Sequence, residues 1–278
     1  EERIKFICDN VNTDTIFGKE LKEQYYNKFG KNILKLENNG GSLKDHYDFT
    51  IIHDDDTINR CEEKGTDTYI NDLSDYTIPW INSVQRYNGP GNQFSVGKKY
   101  AELWWKLVVS DENIKSEFNI LENIPTLNEW LEKDAFQCGD PKTPYMKELK
   151  RLYREKYPGC SMNGKKLSPY DYRERVNSKF EFTDEDKEIL IKESQLKLDQ
   201  IMEEKQCWLQ TSGVITEKLN FKWYDKIDSP KIIDINMNYS KGADLIFSFI
   251  SDKSDKNFDC ILRFGKGCGF SNIRFDIR

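Results

Sequence analysis

Apolar residues recur every four positions at Phe17, Leu21, Tyr25 and Phe29, and this spacing predicts an amphipathic helix over 16–29. Asp14 and Thr15 precede it as capping residues and Gly30 supplies its stop. Before it, residues 3–8 read either as a short strand or as the end of a helix. After Gly30 the period falls from four to two. Residues 32–36 form a short strand, and residues 48–53 (DFTIIH) and 57–64 (TINRCEEK) form two more. Asp54, Asp55 and Asp56 make a solvated turn between the last pair. Residues 94–109 predict a buried helix running on into a strand, with Tyr100, Leu103, Trp104 and Leu107 on its apolar face. Residues 111–146 alternate between helical and irregular patterns.

Thr183 followed by Asp184, Glu185 and Asp186 marks a helix start, and the helix should continue to about Lys205. From Trp208 the pattern turns to strands at 213–215, 220–224, 231–237, 243–251, 258–264 and 272–277. The glycine-rich run Gly265–Gly269 lacks the Lys-Ser/Thr ending and the following helix of a phosphate-binding loop, so it reads as a hairpin turn.

Composition narrows the options. The 278 residues carry a net charge of −6, so bulk charge gives no reason to expect a nucleic-acid partner. One stretch departs from that balance. Residues 147–179 hold ten Lys and Arg against Glu148, Glu155, Asp171 and Glu174, a local +6, with Tyr153, Tyr157, Tyr170 and Tyr172 interleaved. A basic, aromatic stretch in an acidic chain has the character of a nucleic-acid contact region. Within it Lys150, Arg151, Arg154, Lys165, Lys166, Arg173 and Arg175 are the candidate contacts, the last two as base readers. Seven scattered cysteines form no C-x-x-C pair, and two histidines close no zinc pattern, so the thiols are expected to be free in a reducing compartment. The absence of a long apolar run or leader points to a cytoplasmic protein without a membrane partner.

The chemistry gathers at 48–64. Strand alternation puts Glu62 and Lys64 on one side and Glu63 on the other, and pairing of the hairpin brings Asp48 back across from the end of the second strand. Two carboxylates and an ammonium then converge at the open end of the hairpin. Hard oxygen donors of this kind suit a divalent cation, with the lysine beside a phosphate or an attacking water. An acid-x-Lys tripeptide is cheap in such a chain and recurs at Glu20/Lys22, Asp140/Lys142, Glu148/Lys150, Glu185/Lys187 and Glu203/Lys205. Only Glu62/Lys64 lies on a strand with a strand-borne acid upstream. His53, at a strand end beside the acidic turn, reads as a surface residue.

Asp48, Glu62 and Lys64, followed by Gly65-Thr66, resemble the PD-(D/E)XK nuclease superfamily, which includes many type II restriction endonucleases; Tyr47 stands where proline is usual. The resemblance implies an α/β fold, a restriction-endonuclease-like core with a central mixed β-sheet flanked by helices; the residue pattern adds a helical basic region and a β-rich C-terminal part. The resemblance covers about residues 15–105; with the chain pattern it suggests a core at 1–110, a mainly helical basic region at 111–210 and a β-rich part at 211–278 packed on or completing the core, or one continuous domain. It implies Mg²⁺, with Mn²⁺ as a substitute, held by Asp48, Glu62 and the Glu63 carbonyl, and a further helix-borne acid, Glu20 or Glu23. The implied activity is hydrolysis of double-stranded DNA, with a homodimer left open. A repair or RNA-processing nuclease and a non-catalytic nucleic-acid-binding protein are the competing classes.

Overall fold

Thr15 caps the helix that the four-residue period predicts. Its side chain accepts from the Gly18 N–H at 3.1 Å, and α2 (Ile16–Phe29) runs until Gly30, whose φ of 67° makes the left-handed turn. Residues 3–8 belong to a helix as well, α1 (Glu2–Asn12), which buries Ile4, Ile7, Cys8 and Val11. In this computed structural model the described residues are 1–40, 47–73, 94–137, 139–157, 172–215, 218–225, 231–239, 245–252, 258–264 and 273–277. The chain divides into two compact units, residues 1–80 with 198–230, and residues 81–197 with 231–278.

The first unit is built on five strands in the spatial order β1 (Ile33–Asn38), β2 (Phe49–His53), β3 (Ile58–Thr66), β4 (Cys207–Ser212) and β5 (Asn220–Asp225). Neighbours are antiparallel except β3 and β4, which run parallel, so the sheet is mixed. A parallel neighbour cannot be reached by a tight turn, so β4 enters from far along the chain. It also starts six residues before the expected strand at 213–215. All six of its residues are buried, and a strand covered on both faces shows no alternation to read.

One face of this sheet carries the core of the unit. Leu36, Phe49, Ile51, Cys61, Cys207, Leu209 and Trp223 are buried there with Leu21 and Tyr25 of α2 and the apolar side of α1. The Trp223 ring meets Tyr25 edge-on at 4.9 Å, and its indole N–H reaches the Leu21 carbonyl at 3.2 Å. Full burial of a side chain such as Leu21 contributes about 1.5–3 kcal/mol. Of the predicted stripe, Leu21 and Tyr25 are fully buried, while Phe17 and Phe29 pack against the edge of the core.

The second unit opens with α3 (Ser95–Trp104), which continues as a wide turn of π-helix over Trp105–Val109 where a strand was expected. The helical path buries Val108 and Val109, so the apolar run that reads as a strand is satisfied in a helix. It is followed by α4 (Glu112–Glu117), α5 (Leu127–Trp130) with a Thr126/Glu129 capping box, α6 (Pro144–Lys156), α7 (Tyr172–Asn177) and α8 (Asp184–Glu204). Four antiparallel strands, β6 (Ile232–Asn238), β7 (Leu245–Ser251), β8 (Phe258–Phe264) and β9 (Ile273–Ile277), form its sheet in chain order. The glycine-rich run Gly265–Gly269 lies outside the described residues. The C-terminal strands therefore separate: β4 and β5 complete the first sheet, and β6 to β9 form another. No helix among the described residues is long and apolar enough to cross a membrane.

Candidate functional site

The β2–β3 hairpin pairs with Phe49 opposite Cys61, so Asp48, one residue before β2, stands across from Glu62. Asp48 donates its N–H to the Cys61 carbonyl at 2.9 Å and accepts the Glu63 N–H on Oδ2 at 2.8 Å. The turn closes as expected, with the His53 N–H on the Thr57 carbonyl at 2.9 Å and Asp55 accepting the Thr57 N–H at 3.0 Å.

Alternation along β3 then divides the acids. Glu62 and Lys64 leave on the face away from the apolar core, where Lys64 is ion-paired to Glu62 Oε1. Glu62 is only 2 % exposed, and its other carboxylate oxygen, Oε2, is held by Lys205, itself 1 % exposed. Glu63 points to the opposite face. There it accepts a hydrogen bond from the Thr211 hydroxyl and lies 3.9 Å from the Arg3 guanidinium, which also donates to Thr211 Oγ1 at 3.2 Å and to the Gly213 carbonyl at 3.0 Å. The chain at Gly65 passes tightly through this cluster. A Cβ there would fall 2.5 Å from Glu63 Oε1, 2.6 Å from Thr211 Oγ1 and 2.8 Å from Arg3 Nε.

Electrostatics separates the three acids. Burial opposes the charge on Glu62, but Lys205 and then Lys64 outweigh it and hold this carboxyl below its ordinary range. Asp48 goes the other way: burial, then the Glu62 charge, raises it against the pull of Lys64. Burial likewise raises Glu63, against its Thr211 hydrogen bond and Arg3. The result is one carboxyl held toward its charged form beside a second whose charge is resisted. Cys61, fully buried on the core side, has its thiol pushed up by burial.

The donor set fits a hard divalent cation. Asp48 and Glu62 offer carboxylate oxygens from one face, and the repulsion between them is what a cation would relieve. A strand residue sends its N–H and C=O to the same edge. Because the Glu63 N–H meets Asp48, its carbonyl also leaves toward Asp48, just past the end of the β2 ladder. Among the described residues no group of three or more His, Cys, Asp or Glu side chains could hold a metal ion. The set is thus two carboxylates and a carbonyl.

Other candidates lie elsewhere. Glu20 and Glu23 are exposed on α2 and enter none of the described ion pairs of Glu62. His53 is fully buried, not a surface residue: Nε2 is 2.9 Å from the Tyr25 hydroxyl and Nδ1 2.9 Å from Thr57 Oγ1. Burial pushes its pKa down, and it belongs to the core face. In the basic stretch, Lys150 is 4 % exposed and turned to Asp140, while Arg151 is bracketed by Glu148 and Glu155 at 2.6 Å each. Arg175 pairs with Asp111 at 2.6 Å. Arg154 is exposed and Arg173 half-buried. Lys165 and Lys166 lie outside the described residues.

Lys205, Arg3 and Thr211 carry no signal of this role in the sequence. Lys205 belongs to an acid-x-Lys tripeptide in a helical pattern, and it sits in the link between α8 and β4. The other two lie far from the motif in sequence, and only sheet pairing and the α1 packing bring them in. No family model, curated protein or solved structure matches the chain.

Proposed function

We propose that this chain is a Mg²⁺-dependent DNA endonuclease of the PD-(D/E)XK kind, acting as a type II restriction enzyme. The observation that carries this reading is the meeting of Asp48, Glu62 and Lys64 on the polar face of a mixed sheet, at the end of an antiparallel hairpin. The helix α2 packed against the sheet ahead of that hairpin supports this reading.

Asp48, Glu62 and the Glu63 carbonyl are the groups that would hold the cation. A bound Mg²⁺ supplies Lewis acidity toward the scissile phosphate and lowers the pKa of water. Lys64, whose side chain is 25 % exposed, reaches toward solvent on the same face as both acids. Its ammonium stabilises negative charge growing on the phosphate oxygens and orients the attacking water. Glu62 stays ionised throughout, because two ammonium groups hold it. Of the basic stretch, Arg151 and Arg154 are exposed on one helix, which suits a grip on the DNA backbone.

Incubation with plasmid DNA and Mg²⁺ tests the reading directly. A discrete fragment ladder is expected. A smear would point to a repair or processing nuclease, and unchanged DNA would leave a non-catalytic binding protein.

A further inference from the structure

The two lysines on Glu62 differ in a way that a metal site of two acids and one lysine does not require. Each takes one carboxylate oxygen, Lys64 Oε1 and Lys205 Oε2. The Lys64 side chain is partly exposed and can turn outward to a phosphate, whereas Lys205 is enclosed directly before the buried strand β4. An ammonium so enclosed cannot meet DNA in solution. Its charge acts on the site from within, on Glu62 by direct contact and on Asp48 at longer range.

We infer that Lys205 is a positioning residue: a built-in cation that permanently occupies one oxygen of Glu62, fixes the plane of that carboxylate, and restrains how tightly the site takes up a divalent ion. The inference rests on the reading of Asp48 and Glu62 as cation ligands. With Lys205 in place, Asp48, Glu62, Lys64 and Lys205 sum to zero charge, so the acids are compensated before any metal arrives. An incoming cation must share the Glu62 carboxylate with a fixed positive charge a few ångströms away, which disfavours it. The buried ion pair also keeps Glu62 from taking another rotamer, since leaving it would strand a charge in a dry site.

Calorimetric titration with MnCl₂ at fixed pH, without DNA, measures this independently of turnover. Lys205→Met keeps an unbranched stem, one atom shorter, and removes the charge, and Lys205→Gln removes the charge but keeps a donor. Both variants are expected to bind Mn²⁺ on the order of tenfold tighter than the wild-type chain, or more, with circular dichroism unchanged. Glu62→Gln in either background should abolish the gain. Mn²⁺ affinity that is unchanged or weakened in both folded variants would overturn the inference and leave the metal site standing. Mn²⁺ bound by neither wild type nor variant would overturn the cation reading and the inference with it. Loss of folding in both variants would also overturn it, by making Lys205 a structural residue.

Discussion

Replacing Asp48 by Asn changes its charge and little else, because the amide keeps an oxygen to accept the Glu63 N–H. Activity should fall on the order of 10²-fold or more in plasmid cleavage, since a cation ligand is removed. Stability should move in the opposite direction. The Asp48 pKa is raised from 3.8 in the folded chain, by burial and then by Glu62. The stability it contributes is present below 3.8 and is lost as pH rises through the higher folded value. At neutral pH the ionised carboxylate therefore destabilises the wild-type chain, and Asp48→Asn relieves this. Thermal melts should show the variant more stable at pH 7–8, with the gain fading in acid. An equal melting temperature at all pH values would contradict the electrostatic account. Lys64→Ala should lower the cleavage rate by about 10²-fold or more, and Lys64→Arg should recover only part of it, because a planar fork replaces a point donor. Single-turnover rates at saturating Mg²⁺ decide this, and full activity in the alanine variant would remove Lys64 from the site.

At the scale of elements, β3 serves both faces of the sheet at once. On the core face, the space that a Cβ at position 65 would need is filled by Glu63, Thr211 and Arg3. Gly65→Ala must push these side chains apart, and overpacking of this kind costs about 1–3 kcal/mol. Urea denaturation measures it, and a neutral result would mean the cluster yields freely. The α2 side is held by another polar chain. The Tyr25 hydroxyl lies 2.9 Å from His53 Nε2 and accepts from Asn59 Nδ2 at 2.7 Å. Tyr25→Phe leaves both partners short of a bond within a buried region, at about 1–3 kcal/mol. Its effect should appear in equilibrium unfolding, with the cleavage rate per folded molecule unchanged. A selective loss of rate would instead connect His53 to the chemistry. The boundaries of α2 and α8 and the hairpin strands were legible because each follows one period with local start or stop signals. The second lysine on Glu62 was not, since it depends on a strand that shows no period.

For the molecule as a whole, the net charge of −6 confines any grip on DNA to local patches, and the described cations of 147–179 are unequal in that respect. Arg151→Gln with Arg154→Gln should weaken binding to all sequences alike. It should flatten the slope of log K against log salt by roughly one unit for each phosphate no longer bound, as read by titration in Ca²⁺. Lys150→Ala should instead lower stability, because that side chain is buried and turned to Asp140. An unchanged slope in the double variant would place the DNA on another surface. Sequence by itself determined the hairpin, its acidic turn, the face on which Glu62 and Lys64 emerge together, and the α2 stripe, since all of these are set by residues close in the chain. It also marked β5 through β9 with nearly their final boundaries. Only the tertiary structure decided that β4 runs parallel to β3, that β4 and β5 join the first sheet while β6 to β9 form another, and that Lys205, Arg3 and Thr211 meet the motif acids. The meetings of Lys205 with Glu62 and of Thr211 with Glu63 span 143 and 148 residues of chain, Arg3 is also remote from Glu63, and nothing in local period or charge encodes pairings made across such distances.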